Sequence, residues 1–176
     1  CDEFLPAHEQ IAQAARYSLL GGGKRIRAVL ALAACELGGA APEKALDYAC
    51  ALEMLHCYSL IHDDMPCMDN DDFRRGKPSC HIAFGEEYAL LAGDALLTLA
   101  FETAVKAQLP AERVIDAVSV LSKAAGWAGM VGGQVMDLQN EGKKVGLEDI
   151  EKTDALKTGE LIRAACVMGC IAAGRK

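Results

Sequence analysis

The sequence predicts an all-α protein, and three observations support this prediction. Apolar residues make up 52% of the 176 residues and aromatic residues only 5%, a balance typical of helices packed on helices. Apolar residues recur at helical spacing in successive segments, and no alternating β pattern is found. Glycine and proline separate these segments, as they commonly do at helix ends. We therefore expect a single domain, residues 1–176, built as a bundle of helices.

The helix boundaries follow from the positions of these breaks. The glycines at 21–23 end the first predicted helix, and Pro42 suits the first turn of a long third helix. Asp94 has the side chain of an N-cap, which predicts a new helix at 95. The predicted helices cover residues 8–20, 25–37, 43–64, 80–92, 95–108, 111–124, 127–140, 147–156 and 159–173. Helices that are apolar on nearly all faces belong to the centre of a large bundle.

Charge and hydropathy argue against two classes of partner. The net charge of −7 and the pI near 5.1 argue against nucleic acid, which needs a basic surface. The longest apolar stretch, Tyr88 to Phe101, contains Asp94 and is too short to cross a bilayer, so no membrane span is predicted. No signal peptide is visible. These features predict a cytoplasmic protein.

Eight cysteines are expected to be reduced, which also points to the cytosol. Cys35, Cys50 and Cys57 lie in apolar helical stretches, where buried thiols act as small hydrophobic side chains. Cys166 and Cys170 are one helical turn apart and could hold a metal. No histidine or second cysteine pair lies near them, so packing is the favoured interpretation.

The segment HDDMPCMDNDDFRRGK at 62–77 concentrates five carboxylates in ten residues. The first two, Asp63 and Asp64, fall near the C-terminal end of a predicted helix, where the macrodipole disfavours anions. Mutual repulsion adds to this cost. Mg²⁺ would relieve both costs, since it binds carboxylate oxygens and keeps positions open for substrate phosphates. A solvated charged loop is the alternative, but Pro66 and the apolar helix leading into the segment favour a metal-bridged polyphosphate site.

Two basic clusters accompany the acidic segment. GGGKRIR at 21–27 places Lys24, Arg25 and Arg27 where a glycine turn enters a helix, a setting that suits an anion. A helix C-cap followed by surface bases explains this segment equally well on its own. Arg74 and Arg75 form the second cluster, and the planar arginine fork binds two phosphate oxygens at once. Two basic clusters and one acidic run suggest two diphosphates, one held through metal and one held directly.

Three further signals are weaker. His56 lies two turns before the acidic run on nearly the same helix face, so it is either a diphosphate contact or a core histidine. Gln134 and Asp137 share a face of an apolar helix and must find partners, for function or for structure. Around Lys157 and Thr158, a glycine break would free backbone carbonyls to face a cationic intermediate.

Taken together, these segments resemble the trans-isoprenyl diphosphate synthases, and most of all the bacterial farnesyl diphosphate synthases. The matching segments are RYSLLGGGKRIR (16–27), HCYSLIHDDMPCMDNDDFRRGKPS (56–79), FGEEYALLAGDALLTLAFE (84–102), GGQVMDL (132–138) and ALKTGELIRAA (155–165). The resemblance implies an isoprenoid synthase-type helical bundle around a central prenyl cavity. It also implies a Mg²⁺-dependent, homodimeric prenyltransferase that condenses dimethylallyl or geranyl diphosphate with isopentenyl diphosphate.

The resemblance further implies roles for individual residues. Asp63, Asp64 and Asp69 would bind Mg²⁺ and, with Arg74, the allylic diphosphate. The isopentenyl diphosphate ligands would be Lys24, Arg27, His56 and Arg75. Lys157 would meet the leaving diphosphate, with Thr158 beside it.

The length of the prenyl product is expected to depend on the residue five positions before the acidic run. Tyr58 lies about 7.5 Å along the helix from Asp63 and is bulky enough to stop a growing chain, whereas its neighbour Ser59 is not. The expected product is farnesyl diphosphate, with geranylgeranyl or geranyl diphosphate as alternatives. Simple packing of Tyr58 against a neighbouring helix is the structural alternative.

The chain is expected to be incomplete at both ends. The second aspartate-rich motif of the resembling family is missing, and the last helix is apolar with nothing obvious to cover it. We therefore expect the chain to be the N-terminal part of a polyprenyl synthetase domain and inactive by itself. Two other functions are alternatives. A terpene cyclase would not need the basic clusters, and a non-catalytic partner subunit would lack the aspartate-rich motif.

Overall fold

The computed structural model describes residues 9–175, and it confirms the all-α class. The helices are α1 (Gln10–Leu19), α2 (Ile26–Leu37), α3 (Leu46–Asp63), α4 (Cys80–Phe84), α5 (Glu86–Val105), α6 (Ala111–Ala125), α7 (Met130–Asn140), α8 (Leu147–Asp154) and α9 (Glu160–Ala173). A 3₁₀ turn, Pro42–Ala45, precedes α3, and a π-helical turn, Ala155–Gly159, joins α8 to α9. Among the described residues, strand structure is limited to a two-residue antiparallel pair, β1 (Phe73–Arg74) and β2 (Lys77–Pro78).

The described chain forms two compact units. The first contains residues 9–25 and 53–103, and the second contains residues 26–52 and 104–175. Helix α3 therefore begins in the second unit and ends in the first. The expectation of one domain stays a prediction.

In the first unit, α3 and α5 pack as antiparallel neighbours. The His62 ring lies directly on Gly93, where an added Cβ would be 2.5 Å from the ring Cδ2. Further along, the Thr103 hydroxyl donates a hydrogen bond to the Met54 sulfur at 3.6 Å. Residues of α3 are buried on nearly every face, as its apolar sequence predicts.

The predicted helix boundary at Asp94 is wrong. The break falls earlier, at Gly85 with φ +94°, and α5 then runs without interruption from Glu86 to Val105. Gly93 therefore serves close packing against His62 inside the helix. The Nε2 atom of His62 donates to the Leu90 carbonyl oxygen at 3.0 Å, which fixes the ring in this position.

In the second unit, α9 packs against both α2 and α6. Small residues allow α2 and α9 to approach closely, because a Cβ at Gly169 would overlap the Ala31 carbonyl oxygen and lie 2.8 Å from the Ala34 Cβ. The expectation that α9 lacks cover is therefore wrong, since its apolar residues are buried or half-buried.

Two other predicted boundaries shift. The helix predicted at 127–140 begins only at Met130, because the chain turns at Gly126 and Gly129. The expected break at Lys157 is instead the wider π-helical turn, so helical winding continues through it into α9. Such turns occur often at functional sites.

Cysteine burial is mixed. The seven described cysteines are free thiols, and Cys35, Cys57 and Cys80 are buried. Cys50 is exposed, so the expectation that it is buried is wrong. It lies in the N-terminal half of α3, one turn before the buried Met54.

Two segments are long and apolar enough to cross a membrane by length and composition alone. They are Glu86–Val105 and Ala111–Asn140, and 44% of the apolar window of the first is buried within the protein. Helix α5 is thus longer than the apolar run at Tyr88 to Phe101. The core helices of soluble proteins share these properties, so the observation is weak evidence for a membrane span.

Candidate active site

The acidic segment folds back over the end of α3. The chain bends after the helix at Pro66, and the backbone N–H of Asp69 donates to the carbonyl oxygen of Asp63 at 2.8 Å. The N–H of Asp71 donates to the Asp64 carbonyl at 3.2 Å, and Asn70 has a left-handed φ of +52°. These bonds satisfy carbonyls that a helix end leaves open. They also place residues 63 and 69 side by side, although six positions separate them.

The donor chemistry of this loop fits Mg²⁺. Asp63 is half-buried and Asp69 is exposed, and both offer hard carboxylate oxygens. Mg²⁺ usually takes only one or two protein carboxylates and completes its octahedron with water and substrate phosphate. Within residues 9–175, no three acidic, histidine or cysteine side chains converge closely enough to coordinate one ion. The loop therefore brings two carboxylate-bearing residues together, and water and substrate phosphate would complete the coordination of an ion held there.

Asp64, the residue next to Asp63, binds Arg74. Only 2% of Asp64 is exposed, and the Nε of Arg74 lies 3.0 Å and 3.1 Å from its two carboxylate oxygens. The Nη2 atom of Arg74 also donates to Asp64, and Asp71 lies at 3.8 Å from it. Hydrogen bonding to Asp64 raises the pKa of the Arg74 guanidinium. The structure thus places the predicted metal ligand Asp64 in a buried ion pair.

The tight turn between β1 and β2 places Arg75 against a different partner from that of Arg74. Arg75 and Gly76 both have positive φ, +54° and +74°, which corresponds to a type I′ turn. Arg75 donates through Nη1 to the carbonyl oxygen of Gly22. Gly23 has a φ of +112°, which favours glycine, and an added Cβ would lie 2.7 Å from the Arg75 guanidinium carbon and displace that side chain. The structure thereby brings Arg75 to the turn that carries the exposed Lys24.

A small open pocket lies where these segments meet in the first unit. Its charged lining consists of Asp64, Arg74, Arg75 and Lys77. The remaining lining residues come from the end of α1, from one face of α3 and from the start of α4: Tyr17, Ser18, Gly21, Cys57, Leu60, Ile61, Pro78, Ser79 and Cys80. Three cations and one ion-paired carboxylate around an open pocket suit an anionic ligand.

Thiols form part of the inner wall of this pocket. Burial raises the pKa of the Cys57 thiol to about 12, and burial also raises the pKa of Cys80. Both therefore remain neutral at physiological pH. They contribute shape and low polarity rather than charge.

Other predicted substrate ligands lie on three different elements. His56 is half-buried on α3 in the first unit. Arg27 is half-buried in the first turn of α2, and Lys157 and Thr158 lie in the π-helical turn, all in the second unit.

In the second unit, α7 supports the π-helical turn directly. Lys157 Nζ lies 2.6 Å from the Asp137 carboxylate, and a Cβ at Gly133 would lie 2.6 Å from the Lys157 Cα. The Nε2 atom of Gln134 is buried without a hydrogen-bond partner. The two polar residues of the GGQVMDL segment therefore differ, because Asp137 binds Lys157 while the Gln134 amide nitrogen has no hydrogen-bond partner.

Tyr58 is buried on α3, with 8% of its surface exposed. Its ring packs edge-to-face on His62 at a centroid distance of 5.6 Å, and burial raises the pKa of its hydroxyl. Ser59 is half-buried and donates to the His56 carbonyl oxygen at 2.9 Å.

The sequence reasoning missed two contributors to this region. Glu53 is a buried carboxylate whose Oε2 lies 3.5 Å from Arg25 Nη1. The signal was a single carboxylate inside the apolar run ALEML at 51–55. Tyr17 also lines the pocket, and its hydroxyl donates to the Pro78 carbonyl oxygen at 2.8 Å.

The chain is similar to proteins of known activity. It is 49% identical over 178 residues to geranylgeranyl pyrophosphate synthase 4 of Arabidopsis thaliana, a match that covers 98% of this chain and 48% of that protein. It is 51% identical over 182 residues to the chloroplastic large subunit 1 of a heterodimeric geranylgeranyl pyrophosphate synthase from the same plant, covering 98% and 49%. The chain thus spans about half the length of these curated relatives.

A solved structure is also similar to this chain. The apo FPP/GFPP synthase of Zymomonas mobilis superimposes with a TM-score of 0.93 at 43% identity, covering 99% of this chain and 66% of that one. The polyprenyl synthetase family model matches residues 8–176. The acidic loop, the basic turn and the helical fold thus occur in a chain that belongs to the polyprenyl synthetase family.

Proposed function

We propose that the full-length protein is a Mg²⁺-dependent prenyltransferase that condenses an allylic diphosphate with isopentenyl diphosphate. One observation supports this most directly. The acidic loop brings Asp69 next to Asp63, the last residue of α3. The following residue, Asp64, lines a pocket together with three basic side chains. Two adjacent carboxylate-bearing residues suit a metal-bound diphosphate, and the basic side chains suit diphosphate oxygens held directly.

The proposed division of labour follows from these positions. Asp63 and Asp69 hold Mg²⁺, which when bound supplies Lewis-acid stabilisation to the departing diphosphate. Arg74, oriented by Asp64, faces the allylic diphosphate. In this arrangement Asp64 acts through Arg74, whereas the sequence analysis expected it to bind metal.

The second substrate is bound by charge alone. Lys24, Arg27, His56 and Arg75 hold the diphosphate of isopentenyl diphosphate. Binding requires Arg75 to exchange the Gly22 carbonyl for phosphate oxygens. Such an exchange is favourable because hydrogen bonds between charged groups are stronger than those to a neutral carbonyl.

The reaction breaks the allylic C–O bond, and the electron pair leaves with the diphosphate. The double bond of isopentenyl diphosphate then attacks the allylic carbon, and a proton is lost from the product cation. Lys157, held by Asp137, meets the leaving diphosphate, with Thr158 beside it. Carbonyl dipoles of the π-helical turn stabilise the developing positive charge.

Two products have separate support. Tyr58 favours farnesyl diphosphate, because a buried aromatic ring about one and a half turns before Asp63 suits a tunnel floor. The two Arabidopsis relatives are named geranylgeranyl pyrophosphate synthases, which favours geranylgeranyl diphosphate. The second relative is named as the large subunit of a heterodimer and as chloroplastic, so a homodimer in the cytoplasm is a proposal that needs its own measurement.

Elongation assays on the full-length protein test the function. The protein is incubated with labelled isopentenyl diphosphate and with dimethylallyl or geranyl diphosphate, with Mg²⁺ or with EDTA, and the products are separated by chain length. We expect Mg²⁺-dependent elongation. Absence of elongation with every allylic donor would contradict the proposal, and activity that appears only with a second subunit would support a non-catalytic partner instead.

A further inference from the structure

Arg25 has no role in the proposed chemistry, although it lies between the predicted ligands Lys24 and Arg27. Its backbone adopts a left-handed φ of +51°, which non-glycine residues rarely do. Its side chain turns inward, where Nη2 donates to the Leu19 carbonyl oxygen at 2.5 Å. Nη1 lies 3.5 Å from Oε2 of Glu53. Arg25 thus joins the C-terminal end of α1 to α3.

Glu53 requires this partner. It is 8% exposed on an apolar stretch of α3, and a buried carboxylate is costly unless it is paired and hydrogen-bonded. An arginine held in an unfavourable backbone conformation and paired with a buried carboxylate indicates a geometry that the surrounding structure determines.

The Arg25–Glu53 pair lies close in sequence to two of the proposed substrate ligands, Lys24 and His56. Glu53 lies three residues before His56 and four before Cys57, so it shares a helix face with a predicted ligand and with a pocket-lining residue. Arg25 is covalently joined to Lys24. The ion pair therefore fixes the distance between the turn that carries Lys24 and the helix that carries His56.

We propose that Arg25 and Glu53 are positioning residues for the homoallylic diphosphate site. This inference rests on the proposed function and deepens it. Arg75 holds the same turn from the outside through the Gly22 carbonyl, and it must leave that carbonyl to bind phosphate. Once Arg75 has left, the Arg25–Glu53 pair keeps Lys24 in place.

The inference predicts a selective kinetic effect. Loss of the pair should raise the KM for isopentenyl diphosphate about tenfold, because one ligand loses its fixed position. The KM for the allylic diphosphate and kcat should change less than twofold, since Asp63 and Asp69 are fixed by their own backbone hydrogen bond. A merely structural role would change all three constants and the melting temperature together.

The test compares Glu53→Gln, Arg25→Gly and Arg25→Lys in the full-length protein. Arg25→Gly removes the side chain but suits the left-handed backbone, so it separates the ion pair from the turn. Arg25→Lys retains the charge and should recover part of the affinity. Arg163→Gln serves as the matched control, because it removes an arginine from an exposed pair with Glu160 in the second unit.

Steady-state kinetics and calorimetric titration with isopentenyl diphosphate alone provide the measurements. The inference is overturned if Arg25→Gly and Glu53→Gln retain the wild-type KM and dissociation constant for isopentenyl diphosphate. It is also overturned if both substrates are affected equally. If Glu53→Gln does not fold, Arg25→Gly decides alone. If the wild-type protein neither elongates nor binds isopentenyl diphosphate, the proposed function itself fails.

Discussion

The charged loop at 62–79 and the contact between α2 and α9 both bring distant parts of the backbone close together, but in opposite ways. In the loop, polar groups determine the path of the chain, since Asp64 holds Arg74 and the Asp63 carbonyl holds the Asp69 N–H. Between α2 and α9, the lack of side chains determines the spacing, because Gly169 lies against Ala31. The loop carries the proposed metal and diphosphate ligands with little packing, whereas the helix contact is made of small apolar residues that pack closely.

The difference predicts that activity and stability separate between the two regions. Substitutions in the loop should lower turnover and leave the helices intact, since its side chains are mostly exposed. Substitutions in the helix contact should lower stability, since a close-packed interface has no room for added atoms. The following experiments test this separation, from the largest expected effect to the smallest.

Asp63→Ala should lower turnover by three decades or more, equivalent to about 4 kcal/mol in the activation free energy. The physical reason is the loss of one of two carboxylates available to Mg²⁺. Kinetics of the full-length protein measure the effect, and circular dichroism should show unchanged helix content. Asp72→Asn, an exposed carboxylate of the same run, is the control and should retain most activity. Near-normal turnover in Asp63→Ala would remove the metal assignment.

Gly169→Ala should destabilise the protein by about 3 kcal/mol, because the new methyl group would overlap the Ala31 carbonyl oxygen, which is backbone and cannot rotate away. Urea unfolding measures the free energy. Gly146→Ala is the matched control, since a Cβ there would lie 3.9 Å from the nearest atom, an Asp149 oxygen, and its cost should stay below about 1 kcal/mol. Equal destabilisation by both variants would contradict the packing argument.

Arg27→Ala tests whether effects on activity and on stability also separate within one helix. Arg27 lies in the first turn of α2, the helix that packs on α9. Loss of one charge-assisted contact costs about 1.5–3 kcal/mol, so the KM for isopentenyl diphosphate should rise by about one to two decades. Substrate titrations at saturating allylic diphosphate measure it. An effect confined to the allylic substrate would reverse the assignment of the two diphosphate sites.

Tyr58→Ala should change product length with the smallest effect on rate. If the ring forms the floor of the prenyl tunnel, its removal lets the chain grow beyond the wild-type product. Chromatography of dephosphorylated products measures the distribution, and Ser59→Ala should leave it unchanged. An unaltered product from Tyr58→Ala would mean that its contact with His62 is only packing.

Periodicity and breaker residues in the sequence were sufficient to predict the fold class and most helices. They failed where tertiary contacts override local signals. Gly93 and Asp94 look like a helix boundary, but the His62 ring occupies the space that Gly93 leaves, and the helix continues. The cover of α9 also could not be predicted, since the partner helix lies more than a hundred residues earlier in the chain.

The candidate site shows a similar limit. Charge density located the loop, and the required bend at Pro66 followed from the spacing of Asp63 and Asp69. Spacing alone could not separate the roles of adjacent aspartates, because neighbouring side chains at a helix end point in different directions. Only the folded loop shows that Asp64 is buried against Arg74.

Under the proposed function, the type I′ turn at Arg75-Gly76 has a consequence for how the two diphosphates are distinguished. A hairpin turn of two residues fixes the backbone around Arg74 and Arg75, so the two side chains leave the turn toward different partners. Arg74 is directed to Asp64 and Arg75 to the Gly22 carbonyl. In the proposed function, these two chemically identical neighbours therefore serve different diphosphates. A single inserted residue would erase that distinction while leaving every charge in place.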